Sequence, residues 1–208
     1  MKPPSATSFR ALSLAMIERS FSLVPFPAAD LPAVLLAGQV SLQKKLLEIQ
    51  YSLAGDIPAL LLPDPSANPG RTDELWKSTC FEFFLGPNDQ PQYWEFNISP
   101  SGDWNVYHMD AYRRIGFREE TSIQSLPQEI RQAPDLFHLK VGADLSPLLQ
   151  QSEPIQLGIA AIIQTRDGNE TYWALTHPAP YADFHLRESF ILALAGRTQP
   201  LGQSAPGG

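Results

Sequence analysis

Apolar and polar residues alternate with a period of two along several stretches of this chain. Leu47, Ile49, Tyr51 and Leu53 are separated by Glu48, Gln50 and Ser52. Phe137, Leu139, Val141 and Ala143 alternate with His138, Lys140 and Gly142, and Trp94, Phe96 and Ile98 with Glu95, Asn97 and Ser99. Successive side chains of a strand point to opposite faces, so each pattern predicts a half-buried antiparallel strand. Further strands are predicted over Phe21–Phe26, Cys80–Leu85, Asp103–Met109, Ile155–Gln164, Thr171–Leu175 and Ser189–Leu194. "ISPSGDWN" reads as a tight hairpin turn at Pro100–Gly102, and "TRDGNETY" as another with Asp167-Gly168 at its tip. Asp30–Gly38 reads as a helix, with Asp30 as cap and Pro32 in the first turn. Pro63–Thr72 and Glu119–Asp135 read as loops, the second with room for a short helix. About nine to eleven strands joined by turn-rich segments predict an all-β fold, an antiparallel, jelly-roll-like β-sandwich. Residues 9–195 are expected to form a single such domain, between disordered ends at 1–8 and 196–208 that lack apolar periodicity.

Composition supports short elements over long helices. The 208 residues include 20 Pro and 13 Gly, and the length suffices to bury a sizeable core. The net charge of −7, with basic pairs at Lys44-Lys45 and Arg113-Arg114, argues against nucleic acid or an anionic membrane as partner. No stretch approaches the roughly 20 apolar residues of a membrane-spanning helix. A single cysteine, Cys80, excludes an internal disulfide and a multi-cysteine metal cage, and suits a reducing compartment. The apolar run "ALSLAMI" after Lys2 and Arg10 is too short for a secretory leader, so a cytoplasmic setting is expected.

The candidate chemistry is concentrated in one region. Of the 21 aromatic residues, 11 lie between Trp76 and Phe117. Within "LWKSTCFEFFLG", Glu82 interrupts three phenylalanines, although burying an unpaired carboxylate costs several kcal/mol. If Phe81, Phe83 and Leu85 face a core, then Cys80, Glu82 and Phe84 share the opposite face. Glu95 with Asn97, and Asn105 with Tyr107, would extend that polar face over the next strands. Rings that stack on sugar faces, beside carboxylates and amides that bond hydroxyls, are what saccharide recognition uses. A sandwich core with a surface Glu would use the same residue types.

Other groupings carry weaker signals. His177, Asp183 and His185 have metal-capable side chains at a spacing that matches no common ligand motif. Asp103, Asp110, Asp167 and Asn169 could supply a structural calcium site from loops. No cofactor is otherwise expected: His108 and Met109 are adjacent, so on a strand they point apart and cannot ligate one haem iron. Cys80 reads as a buried, unreactive thiol. There is no phosphate-cradling Gly loop, nucleophile elbow or dinucleotide fingerprint.

Three ordered motifs, "LWKSTCFEFFL", "YWEFNISPSGDWNVYHMDAYR" and "YWALTHPAPYADFHLRESF", resemble the DOMON-like proteins related to family 9 carbohydrate-binding modules. The resemblance spans roughly Phe21 to Leu194. It implies a sandwich that binds a ligand without catalysis, most simply a small saccharide or similar polar molecule in a Trp-lined cleft on a concave sheet. Sugar-binding members form a slot from two tryptophans, with a Glu on the strand after the first. Trp76 and Glu82 resemble that pair, and Trp173 is the counterpart of the second Trp. Asn97, Tyr107 and His177 complete the expected ligand-binding set. The family's amide just before the second Trp has no match in place here, since Glu170 lies three residues ahead of Trp173 and Asn169 four. Two other classes stay open: a glycosidase or lyase using Glu82 with Glu95 or His177, and a protein-interaction sandwich without a small ligand.

Overall fold

A computed structural model describes residues 16–88, 90–113, 117–149 and 154–194. The expected disordered ends, 1–8 and 196–208, lie outside the described residues. Thirteen strands occur among the described residues: β1 (Ile17–Ser22), β2 (Val24–Pro25), β3 (Val34–Gln43), β4 (Leu46–Gly55), β5 (Cys80–Pro87), β6 (Tyr93–Ile98), β7 (Trp104–Met109), β8 (Arg118–Glu119), β9 (Gln128–Ala133), β10 (Leu136–Asp144), β11 (Ile155–Gln164), β12 (Glu170–Ala174) and β13 (Leu192–Leu194). Helical structure is confined there to three short 3₁₀ turns. Among the described residues no helix is long and apolar enough to cross a membrane.

The strands form two antiparallel sheets. One runs in the order β1-β3-β4-β10-β9, the other β2-β12-β11-β5-β6-β7-β8, with β13 also paired to β11. Inward residues of both sheets share one apolar core, as a sandwich requires. Phe81 stacks on Phe137 of the facing sheet with ring centroids 5.4 Å apart, and Phe83 on Phe96 at 4.2 Å. Tyr51 crosses the core from β4 and donates its hydroxyl proton to the backbone carbonyl of Glu82 at 2.9 Å. That bond satisfies a buried phenol and ties the middle of β5 to the opposite sheet.

Both predicted hairpins are present, and Gly102 (φ 93°) and Gly168 (φ 92°) occupy left-handed positions that a side chain would strain. The stretch 21–26 is divided at Leu23, where the chain passes from one sheet to the other: β1 pairs with β3, and β2 with β12.

Two expectations are corrected. Asp30–Gly38 is not helical; Val34 begins a ten-residue strand. Val34, Leu36, Val40 and Leu42 point inward, and β3 is paired on both sides, by β1 and β4. That ladder outweighs a helix signal nine residues long, a length marginal for an isolated helix. Within Glu119–Asp135, Gln128–Ala133 forms the edge strand β9 against β10, where a loop or short helix was expected. Apart from the terminal Ala133, Ile130 is its one apolar position, so no alternation marks it.

Candidate functional site

All eight residues of β5 are buried, which means both faces of this strand are covered. Phe81, Phe83 and Leu85 enter the sandwich core, while Cys80, Glu82 and Phe84 point the other way. The pairing register extends that outer face. Glu82 lies opposite Asn97 and Ala160, Phe84 opposite Glu95, and Glu95 opposite Tyr107. Covering this face are rings from the segment after β12, with Phe184 and Phe190 packed against Phe84.

Glu82 is 3% exposed, and its Oε1 has no hydrogen-bond partner among the described residues. Its neighbour Asn97 donates from Nδ2 to Glu95 Oε1 at 2.8 Å, and the Cys80 thiol lies 3.8 Å from Asn97 Oδ1. Burial pushes the Glu82 carboxyl well above the usual carboxylate range; the charge of Glu95 adds to this, while the Cys80 thiol works against it. Burial likewise raises Glu95 to about 7, against the Asn97 amide and the Arg113 charge. The Cys80 thiol is pushed well up, by burial and then by Glu82, so it is a poor nucleophile. Near neutrality the two carboxyls therefore retain proton occupancy that exposed carboxylates lack.

Glu82 and Glu95 open into a cavity of about 370 Å³, within the roughly 300–1,000 Å³ of small-molecule sites. One wall is Trp76, carried by a 3₁₀ turn at Leu75–Lys77. Its ring meets Tyr107 edge-on at 5.6 Å. Tyr107 is held by its bond to Asp73 at 2.5 Å and by the Asn105 amide at 3.0 Å, with Phe117 stacked on it at 4.8 Å. Tyr172, on β12 two strands away from β5, and Phe184 also line it, their rings 6.1 Å apart.

Arg113 and His185 close the remaining side. Asp183, 4% exposed, joins their two loops: it accepts from Tyr112 at 2.6 Å, from Arg113 at 3.1 Å and from the His185 backbone amide at 3.0 Å. Burial works to raise its carboxyl, but these donors hold it below the ordinary value. The His185 ring lies 2.9 Å from the Tyr93 hydroxyl and 4.0 Å from Glu95. Burial, then the Arg113 charge, hold it down to about 4, so it is neutral at physiological pH.

Of the residues expected to bind a ligand, Trp76 and Glu82 line this cavity. Asn97 and Tyr107 lie directly behind the lining, positioning Glu95 and Trp76. Trp173 does not join them. It is 3% exposed in the inter-sheet core, with its indole nitrogen donating to Thr171 at 3.0 Å. Strand alternation aims its neighbour Tyr172 into the cavity instead. His177 is also elsewhere, bonded at 2.9 Å to the Val24 carbonyl and packed edge-on against Phe26. Arg113, Phe117 and Phe184 were not anticipated, because loop residues carry no periodic signal.

The loop acids do not converge. Asp103 accepts from Ser101 and Gly70, Asp110 from Arg118, and Asp167 from Thr165 and Asn169. Among the described residues no group of three or more His, Cys, Asp or Glu could hold a metal ion.

No family description and no curated protein matches the sequence. Among solved structures, a candidate carbohydrate-binding protein from Bacteroides uniformis ATCC 8492 aligns over 83% of this chain and 84% of its own, with a TM-score of 0.62 and 13% identity. Two structures of a family 9 carbohydrate-binding module from Caldicellulosiruptor kristjanssonii also align. The complex with cellotriose covers 89% of this chain and 88% of its own, with a TM-score of 0.48 and 10% identity. The complex with glucose covers 70% and 69%, at 0.42 and 11%. At 13% identity what is shared is the fold, and this chain is an antiparallel β-sandwich of the kind found in the Bacteroides protein.

Proposed function

We propose that this protein is a non-catalytic binding sandwich for a small saccharide or similar polar ligand, taken up in the cavity between Trp76 and Tyr172. The observation that carries the reading is Glu82. A carboxyl so deeply buried, with an oxygen unpartnered among the described residues, costs stability unless something outside the chain bonds it. A sugar hydroxyl supplies that bond, while the aromatic walls suit the apolar faces of a pyranose ring. The name of the Bacteroides protein, which shares the fold, points the same way. Stacking on one or two rings with a few hydrogen bonds gives affinities on the order of micromolar to millimolar.

The test is intrinsic tryptophan fluorescence titrated with a panel of mono- and disaccharides. A saturable change is expected, since Trp76 forms one wall. A flat response across the panel overturns the reading.

One observation favours a second reading. A carboxyl held at about 7, as Glu95 is, suits a general acid, and Glu82 on the neighbouring strand would be its partner in the ionised state. Turnover of aryl glycosides that disappears in Glu82→Gln would establish a glycosidase. Saturable binding without turnover leaves the binding module.

A further inference from the structure

The charge of the cavity narrows its ligand. Its floor holds two carboxyl groups, and among the described residues no Lys or Arg nitrogen bonds either one. Arg113, the cation in the lining, is engaged by Asp183 at 3.1 Å. His185 carries no charge at neutral pH. The walls are the rings of Trp76, Tyr172, Phe117 and Phe184, whose faces attract cations. The one buried oxygen that is both unpartnered and in this lining, Glu82 Oε1, is an acceptor when ionised.

When the carboxyl is ionised, a neutral hydroxyl can bond that oxygen but leaves its charge uncompensated in a low-dielectric setting, which is why the unliganded site favours the protonated form. An ammonium supplies both a donated hydrogen bond and the opposite charge, and so favours release of the carboxyl's own proton to solvent on binding. Resting on the binding function proposed above, we infer that the cavity takes an amine-bearing saccharide in preference to a neutral one, its ammonium set against Glu82 and its ring between Trp76 and Tyr172.

Calorimetric titration of the full chain at neutral pH with glucosamine, glucose and N-acetylglucosamine tests this, because the three share a ring and differ at one substituent. Glucosamine is expected to bind at least roughly tenfold more tightly than the other two. Glu82→Gln, which keeps the shape and removes the charge, is expected to bring that ratio towards one. The wild-type comparison stands even if the variant folds poorly. Glucose or N-acetylglucosamine binding as tightly as glucosamine overturns the inference and leaves the saccharide-binding function intact. Silence from all three, and from galactosamine with galactose, overturns both.

Discussion

The outer faces of the two sheets solve the same problem in opposite ways. On the five-stranded sheet, Glu48, Gln50 and Lys140 are half-exposed and satisfied by one another: Lys140 lies 2.8 Å from Glu48, and Gln50 donates to it at 2.9 Å. On the eight-stranded sheet, Glu82 and Glu95 occupy equivalent outward positions but are buried under loops, without a cation bonded to them among the described residues. Polar residues on a strand's outer face are therefore not equivalent. Those that pair in solvent cost little, whereas those that are covered and unpaired mark where the chain has given up stability.

Substitutions on each face can break or sharpen this contrast. The largest effect belongs to the inner face, where Phe83→Ala should cost about 3–5 kcal/mol in urea denaturation, because the stacked pair with Phe96 leaves a cavity. A loss below about 1 kcal/mol would show that the inner face is loosely packed.

Trp76→Ala should behave in the opposite manner. The ring is only partly buried and stands beside the floor, so the fold should persist while saccharide affinity falls at least roughly tenfold. Unchanged affinity by calorimetry would remove Trp76 from the site.

Next in size is the pH dependence. The folded-state pKa of Glu95, about 7, lies above its ordinary 4.5, so its bound proton contributes stability fully below about 4.5. That contribution is lost as the pH rises through about 7. Glu82 shifts in the same direction, for the same reason. Glu82→Gln removes one of the two charges, and the melting temperature should rise more at about pH 8 than at about pH 5. An equal change at both values would mean the carboxyl is not held protonated. The smallest effect is expected for Glu48→Gln on the solvated face, a loss of no more than about 1 kcal/mol in the same denaturation assay.

Much of this arrangement is legible from alternation. The patterns in β4, β6 and β10, and the sharing of one face by Cys80, Glu82 and Phe84, follow from the two-residue period. β3 was obscured because "AVLLAG" is a continuous apolar run, and such runs do not distinguish strand from helix. Its register places Phe21 over Gly38, where a Cβ would meet the Phe21 ring at 2.5 Å, a contact between strands distant in sequence. The exchange of Trp173 for Tyr172 has a similar cause. When both faces of a sheet are covered, composition does not tell which residue of an alternating pair faces the core. The bond from Trp173 to Thr171 is visible only once the chain is folded.

The division of labour in the cavity has a practical consequence. Its floor is built from strands whose ladder hydrogen bonds hold the molecule together, but Arg113, Phe117, Ala182 and Phe184 belong to connecting loops. A library randomised at those four positions would exchange the lining of the receptacle without removing a backbone pairing between strands. The same scaffold could thus be retuned for new guests by altering the upholstery alone.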